Sequence, residues 1–261
     1  MANAAPGRPD PEDGARGTET GGEDPVVSFR DVGLRLGGRE VLDGLSFAVA
    51  PSETFMLVGR SGAGKTSVLR LVNRLLEPDR GEIRVEGRAV SDRDPIELRR
   101  GIGYVLQGIG LFPHYTVARN AGLVPRLLGW DERRIEDRVR ELLEMVGLPP
   151  DEFAGRYPGS LSGGQRQRVG VARALAADPP LLLCDEPFGA LDPITRRELQ
   201  DEFRALSRRL QKSLLFVTHD VREALELGDR IGLLEDGRLA FTGSPDAFRE
   251  SGHPLVRAFM G

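Results

Sequence analysis

Short apolar runs of five or six residues alternate with polar turns along most of the chain. Near the start they follow one another closely: VVSFR from Val26, LSFAV, TFMLV over residues 54–58 and EIRVEG from Glu82. Such closely spaced strands predict an antiparallel sheet. Later runs are separated by helical stretches, and they read IGYVL (102–106), LLLCD (181–185), LLFVT (214–218) and RIGLL (230–234). Apolar strands that alternate with helices predict a parallel α/β core beside the antiparallel sheet.

A long helical stretch separates the strand at 102–106 from the strand at 181–185. Because it is too long for one crossover connection, we expect an inserted helical subdomain over about 108–178. Two further helix starts are predicted where a capping residue precedes proline, at Asp192 and at Ser244. Within the long stretch, apolar residues recur at helical spacing behind a predicted Asp131 cap, at Ile135, Val139, Leu142, Leu143 and Val146.

Composition and charge place a tail before one folded domain. The 261 residues carry 36 basic and 40 acidic side chains, and residues 1–24 alone hold two basic and six acidic ones, so the remaining chain is neutral. Five glycines, three prolines and no aromatic residue predict that residues 1–24 are a disordered tail and that the folded domain covers 25–261. A neutral body argues against a nucleic-acid binder that neutralises phosphates.

The sequence also predicts the compartment. Cys184 is the single cysteine and cannot form an internal disulfide, and the sequence contains neither a signal segment nor an apolar run near 18 residues. We therefore expect an intracellular protein that does not span a membrane by itself.

Residues 59–66, GRSGAGKT, match the P-loop pattern directly after the strand at 54–58 and before a helix. Its glycines let backbone N–H groups turn toward phosphate oxygens, Lys65 supplies a mobile charge and Thr66 offers a hydroxyl to Mg²⁺. The alternative is a structural Gly-rich turn, but Lys65 is one of only two lysines beside 34 arginines, which favours a function for its compact ammonium. The predicted nucleotide-binding residues are Gly59, Arg60, Ser61, Gly62, Ala63, Gly64, Lys65, Thr66 and Ser67.

The apolar strand at 181–185 ends in two adjacent carboxylates, Asp185 and Glu186. Beside a P-loop, such a strand holds the metal ion. Asp185 is therefore the candidate Mg²⁺ ligand, through water, and Glu186 is the candidate general base for the attacking water. Without the P-loop, a buried strand with acidic residues at its polar end would be the preferred interpretation.

Residues 161–165, LSGGQ, are followed by RQRVGVARAL, and with this pattern the chain resembles the ATP-binding subunits of ABC transporters. A helix expected to start near Gln165 forms a second phosphate-facing N-terminus, although one chain binds only one γ-phosphate. The resemblance implies a head-to-tail dimer, with a second copy of this chain or with a paired ATPase subunit, in which this signature closes over the partner's nucleotide. The implied signature contacts are Ser162, Gly163, Gly164 and Gln165.

The resemblance implies further roles in family order. Gln107 resembles the Q-loop glutamine, with contacts to the metal and the γ-phosphate. Asp192, in GALD, resembles the D-loop aspartate beside the nucleotide, and His219, in VTHD, resembles the switch histidine. Glu186, His219 and Gln107 then form the catalytic set. Considered alone, Gln107 would be an ordinary strand-end amide and His219 a surface histidine.

A narrower resemblance lies in residues 72–83, 94–117, 123–135 and 189–199, which are similar to ATPases of glycine betaine, choline and carnitine importers. It implies ATP hydrolysis that drives osmoprotectant uptake through a separate membrane permease, with a substrate-binding protein as an indirect partner. The ATPase would then be peripheral, at the cytoplasmic face of the cell membrane. The alternatives are an ATPase of another importer or of an exporter, and a soluble ABC ATPase that acts on DNA or ribosomes.

Three features depart from the family pattern. Leu36 stands where members usually carry an aromatic that stacks on adenine, and Gly108 stands where a second glutamine often follows Gln107. The sequence also ends at Gly261, about ten residues after its last predicted helix, without the pair of CBS domains that many of these ATPases carry. We expect weak base stacking and no regulation through such domains on this polypeptide.

Overall fold

The computed structural model describes residues 24–189 and 191–260. The tail predicted over residues 1–24 lies outside this part except for Asp24, as do Ala190 in the predicted D-loop and Gly261.

A four-stranded antiparallel sheet contains most of the early strands, in the order β2-β1-β4-β5. Its members are β1 (Val27–Leu36), β2 (Arg39–Val49), β4 (Arg80–Val85) and β5 (Arg88–Ala89). The prediction of an antiparallel sheet is confirmed, but its inclusion of the TFMLV run was wrong. That run is β3 (Thr54–Val58), which pairs in parallel with two strands of the second sheet. All five of its residues are buried, because both faces of a central strand are covered.

The second sheet has six strands in the order β10-β9-β3-β8-β7-β6. Its other members are β6 (Ile102–Val105), β7 (Leu181–Asp185), β8 (Ser213–Thr218), β9 (Arg230–Glu235) and β10 (Arg238–Gly243). From β6 to β9 neighbouring strands are parallel, as predicted, whereas β10 pairs antiparallel with β9. β10 was not predicted, because its half-exposed residues belong to an edge strand and form no continuous apolar run.

The helices cover both faces of the parallel sheet. The helices are α1 (Lys65–Val72), α2 (Pro95–Arg100), α3 (Val117–Ala121), α4 (Leu123–Leu127), α5 (Glu132–Met145), α6 (Pro150–Phe153), α7 (Gly163–Leu175), α8 (Pro193–Leu210), α9 (Val221–Leu227), α10 (Pro245–Glu250) and α11 (Pro254–Met260), with short 3-10 turns at Val90–Asp92 and Pro158–Ser160.

Three predicted helix caps are confirmed. The side chains of Asp131, Asp192 and Ser244 each accept hydrogen bonds from the first turn of α5, α8 and α10. Two helix boundaries differ from the prediction: α7 starts at Gly163, two residues before Gln165, and α11 follows the helix that was predicted to be the last. In the part of the chain that the structure describes, no helix combines the length and apolarity needed to cross a bilayer.

The core consists of two apolar clusters on opposite faces of the parallel sheet. One cluster packs the antiparallel sheet and α1 against residues such as Phe55 and Leu215. The other joins the helices between β6 and β7 to the opposite face, where Met56 and Phe216 lie. The parallel sheet is therefore packed on both faces, and this packing fixes the positions of its strand ends.

Candidate nucleotide-binding site

The P-loop connects the buried end of β3 to the start of α1, and two of its glycines are required by space. A Cβ atom on Gly59 would lie 2.4 Å from the carbonyl oxygen of Leu234 in β9. Gly64 has a φ of +102°, and a Cβ there would lie 3.0 Å from the carbonyl oxygen of Val41. Because larger residues would collide with backbone atoms, these glycines fix the path of the loop.

Lys65 lies inside this loop with only 5 % of its surface exposed. Its Nζ donates hydrogen bonds to the carbonyl oxygens of Gly59, at 2.8 Å, and Arg60, at 3.0 Å. Burial lowers the pKa of Lys65, while the carboxylates of Glu186 and Asp185 raise it. Two of the three ammonium donors are thus used by the loop, which leaves one for an anion in the pocket.

Asp185 is held between two hydroxyl groups. The Oγ1 of Thr66 donates to its Oδ1 at 3.1 Å, and the hydroxyl of Tyr104 donates to its Oδ2 at 3.4 Å. Burial raises the pKa of Asp185, and both hydrogen bonds lower it. Tyr104 was missed by the sequence analysis, although a tyrosine inside an apolar strand such as IGYVL is a signal for a buried hydroxyl that needs a partner.

The donor set at this point fits a hard cation. A hydroxyl and a carboxylate oxygen 3.1 Å apart are ligand types that Mg²⁺ prefers. Among the described residues there is no group of three or more His, Cys, Asp or Glu side chains that could hold a metal ion. Mg²⁺ commonly keeps several waters and binds jointly to one or two protein ligands and a substrate phosphate, which is what this sparse set would require.

Three polar side chains meet at the carboxyl edge of the sheet, where β6, β7 and β8 end. The Nε2 of Gln107 donates to the Oε2 of Glu186 at 3.4 Å, and the Nδ1 of His219 lies 3.0 Å from the same oxygen. Glu186 has a φ of +42°, an uncommon conformation for a side-chain-bearing residue, and its N–H donates to the carbonyl of Val217 in β8 at 3.0 Å. The structure brings the three residues of the predicted catalytic set together.

The P-loop and these side chains enclose one pocket of about 430 Å³. Leu36, at the end of β1, is 39 % exposed and does not line this pocket, whereas Val41 of β2 does. The lining residues are Val41, Ser61, Gly62, Gly64, Lys65, Thr66, Ser67, Gln107, Glu186 and His219.

The signature residues lie elsewhere. Ser162 is exposed and caps α7: its Oγ accepts from the N–H of Gln165 at 3.2 Å, and the Gln165 side chain accepts from the N–H of Ser162 at 2.9 Å. A Cβ on Gly164 would lie 2.8 Å from Thr195 on α8. Within the described chain, none of residues 162–165 lines the P-loop pocket.

Asp192 is also absent from the pocket lining among the described residues. Its carboxylate accepts hydrogen bonds from the N–H groups of Ile194 and Thr195 at the start of α8. Hydrogen bonding with Thr195 lowers the pKa of Asp192. A single subunit therefore does not bring the signature or Asp192 together with the P-loop.

The chain combines a P-loop at the carboxyl end of a parallel strand, a carboxylate placed to hold a metal ion, and a separate capped signature helix. This combination defines a P-loop nucleotide-binding cassette. The family model described as ABC transporter matches residues 42–189. The chain belongs to the ABC transporter family, and its predicted resemblance to this family is confirmed.

Curated relatives agree with this assignment. The choline transport ATP-binding protein OpuBA of Bacillus subtilis is 50 % identical over 226 residues, which cover 86 % of this chain and 59 % of that protein. The glycine betaine uptake system ATP-binding protein YehX of Escherichia coli is 44 % identical over 237 residues, which cover 90 % of this chain and 77 % of that protein. The chain thus spans about 59 % of the length of the first of these relatives.

Solved structures confirm the fold class. The ATP-binding cassette MJ0796, in a dimeric post-hydrolysis state bound to ADP and Pi, superposes with a TM-score of 0.73 at 32 % identity. The match covers 84 % of this chain and 98 % of that cassette. The predicted ABC ATPase fold, with a parallel core and an antiparallel sheet, is therefore confirmed.

Proposed function

We propose that this chain hydrolyses MgATP in a head-to-tail dimer and thereby drives import of a quaternary ammonium osmoprotectant through a separate membrane permease. The observation that carries the ATPase assignment is the convergence of Gln107, Glu186 and His219 on the pocket lined by the P-loop.

Glu186 is the proposed general base. Its Oε2 is engaged by Gln107 and His219, and within the described residues no hydrogen bond reaches its Oε1. Because one oxygen is anchored and the other accepts no hydrogen bond within the described residues, the carboxylate of this pocket-lining residue can take a proton from a water that attacks the γ-phosphate. The hydrogen bonds from Gln107 and His219 hold the carboxylate in one orientation. The same two side chains would contact the γ-phosphate when ATP is bound.

Thr66 and Asp185 would hold Mg²⁺, with Gln107 as an additional ligand through its amide oxygen. The ion supplies charge neutralisation for the phosphate oxygens. The Thr66 hydroxyl would hold the ion directly and Asp185 would hold it through water, while Tyr104 would keep its hydrogen bond to the Oδ2 of Asp185. Lys65 contributes its remaining N–H to the phosphates, and the N–H groups of residues 59–67 surround them.

The incomplete site supports a dimer as the functional unit. Ser162, Gly163, Gly164 and Gln165 form a capped helix start that is exposed at Ser162 and separate from the P-loop pocket of the same chain. A second copy would bring this helix start, and Asp192, to the nucleotide. The MJ0796 cassette, which is similar over most of this chain, is itself a dimer. A permease, an indirectly coupled substrate-binding protein and a peripheral position on the cytoplasmic membrane face complete the proposal, with no nucleic-acid partner.

The solute class is supported by the functions of two relatives, OpuBA in choline transport and YehX in glycine betaine uptake. A second candidate is an inorganic anion, because a sulfate/thiosulfate import ATP-binding protein of Chromobacterium violaceum is 45 % identical over 230 residues. Uptake measurements separate the two solute classes.

The test is uptake of labelled glycine betaine, choline and sulfate under osmotic stress in a strain that lacks the gene. Complementation with the wild-type chain should restore glycine betaine or choline uptake, and the Lys65→Ala variant should not. Lys212→Ala is the matched control, because the chain's other lysine lies outside the pocket and pairs with Asp178 at 2.9 Å. Restored sulfate uptake with unchanged betaine and choline uptake would contradict the solute class and leave the ATPase assignment standing.

A further inference from the structure

The loop that carries Gln107 has an unusual backbone path. The N–H of Ile109 donates to the carbonyl oxygen of Leu106 at 3.1 Å and closes a turn, in which Gln107 is the second residue. Gly108, Ile109 and Gly110 have φ values of +78°, +71° and +56°. Glycine adopts this left-handed region freely, but a β-branched residue such as Ile109 rarely does. The surrounding structure must therefore hold the loop in this conformation.

Arg173, on helix α7, binds the carbonyl groups of this loop. Its Nη2 donates to the carbonyl oxygen of Ile109 at 2.8 Å, and its Nη1 donates to that of Gly110 at 2.6 Å. Three residues earlier on α7, a Cβ atom on Gly170 would lie 3.5 Å from the Cγ2 of Ile109, so the Ile109 side chain lies against this glycine. One guanidinium thus holds the last residue of the turn that contains Gln107, together with the residue that follows it.

Filling the core does not explain an arginine at this position. Arg173 is 8 % exposed, and burial alone lowers its pKa, because no carboxylate among the described residues offsets the loss of water. An apolar side chain would avoid the unfavourable burial of a charge. The planar guanidinium, in contrast, can donate to two neighbouring carbonyl oxygens at once. The contacts therefore indicate that Arg173 serves to fix the loop.

We propose that Arg173 is a positioning residue for Gln107, because it fixes the turn from which the Gln107 side chain reaches Glu186. Gln107 lines the nucleotide pocket, and its Nε2 donates to the Oε2 of Glu186 at 3.4 Å. Without the guanidinium, the turn loses both hydrogen bonds to α7, and the left-handed conformation of Ile109 can relax. The Gln107 amide then moves relative to Glu186. The proposal rests on the function proposed above only in that Gln107 acts on the metal and the γ-phosphate.

The first test measures the position of Gln107 without any hydrolysis. The chain contains five glutamines, so selective 15N labelling of their side-chain amides gives five pairs of NMR signals. The pair that is lost in Gln107→Glu identifies Gln107. Arg173→Met should shift this pair and leave the other four in place.

Two further variants complete this test. Arg138→Met is the matched control, because Arg138 is also half-buried and donates to a backbone carbonyl at the end of α7, that of Leu175 at 3.1 Å, instead of to the loop. It should leave the Gln107 signals in place. Arg173→Lys keeps the positive charge but not the planar fork, so it should shift the Gln107 signals even if Arg173→Met folds poorly.

The second test measures turnover. We expect Arg173→Met to lower kcat about tenfold, because a misplacement of about 1 Å can slow a reaction about a hundredfold. The KM for ATP should stay unchanged, since the P-loop is untouched. If Arg173 acts through Gln107, the same change in a Gln107→Ala background should lower the residual rate less than about twofold.

The outcomes separate this inference from the proposed function. A wild-type chain without ATPase activity would overturn the proposed function, and the Gln107 amide signals would still decide the inference. Unmoved Gln107 signals in both Arg173 variants, an equal shift in Arg138→Met, or an equal loss of kcat with and without Gln107 would overturn the positioning role.

Discussion

Replacing Glu186 by glutamine removes the proposed base and retains its shape. The Oε2 contacts with Gln107 and His219, at 3.4 and 3.0 Å, can be kept by the amide oxygen of the new side chain. The N–H bond to Val217 belongs to the backbone and is unaffected. What is lost is the basicity of the second carboxylate oxygen, so the effect should fall on the chemical step.

A positioned general base contributes about 10² to 10⁴ in rate, which is about 3–5 kcal/mol of the activation free energy. We therefore expect the Glu186→Gln variant to lose at least about a hundredfold in kcat, while its affinity for ATP stays near the wild-type value. Because ATP is bound and not consumed, a closed dimer should accumulate with ATP and Mg²⁺.

The assays are phosphate release, binding of a fluorescent ATP analogue and gel filtration with and without ATP and Mg²⁺. Glu226→Gln, at an exposed position, is the control for loss of one carboxylate and should match the wild type in all three. Turnover by Glu186→Gln within about tenfold of the wild-type rate would refute the assignment of Glu186 as the base.

Three further predictions test the loop, the base contact and the buried carboxylate. Gly59→Ala should lower the free energy of unfolding by about 1–3 kcal/mol, because its Cβ would lie 2.4 Å from the Leu234 carbonyl; Gly155→Ala, which has open space, is the control in a denaturant titration. Leu36→Tyr should leave nucleotide binding unchanged, because Leu36 does not line the pocket; tighter binding by about fivefold or more, the size expected from about 1–3 kcal/mol of ring stacking, would show that the base lies against the end of β1. Glu223→Gln should melt at or above the wild-type temperature at neutral pH, because burial raises the pKa of Glu223 and so disfavours its charged form in the folded protein. This difference in melting temperature should vanish as the pH falls through the raised pKa toward 4.5, where the wild type gains stability by taking up a proton. A difference that grows at low pH would contradict the prediction.

Local signals in the sequence predicted most of the site. The P-loop, the Asp185–Glu186 pair and His219 each follow a buried strand, and carboxyl ends of parallel strands meet at one edge of a sheet. The pocket that unites the P-loop, Glu186 and His219 was therefore predictable in outline. A capping aspartate accepts hydrogen bonds from N–H groups only two or three residues further along the chain, so the starts of α5 and α8 could be predicted from local sequence.

Features that depend on pairing between distant segments were not predictable. The β3 run, TFMLV, is a short apolar run like LSFAV before it, and only the register with β8 and β9 places it in the parallel sheet. The hydroxyl of Tyr104 on Asp185 and the Gln200–Glu223 bond join residues 81 and 23 positions apart. Val41 lines the pocket and Leu36 does not, a difference that depends on the irregular register of the β1–β2 pair and not on a local pattern.

In the proposed dimer, each complete site takes its P-loop from one chain and its signature from another, and mixing two inactive variants tests this arrangement. Lys65→Ala lacks a working P-loop and Ser162→Ala lacks a working signature, so each alone should hydrolyse almost no ATP. Mixed in equal amounts, half of the dimers pair one variant with the other, and each mixed dimer has one intact site out of two. We therefore expect recovery of up to about a quarter of the wild-type specific activity. No recovery at any mixing ratio, with both variants folded and dimerising, would contradict it.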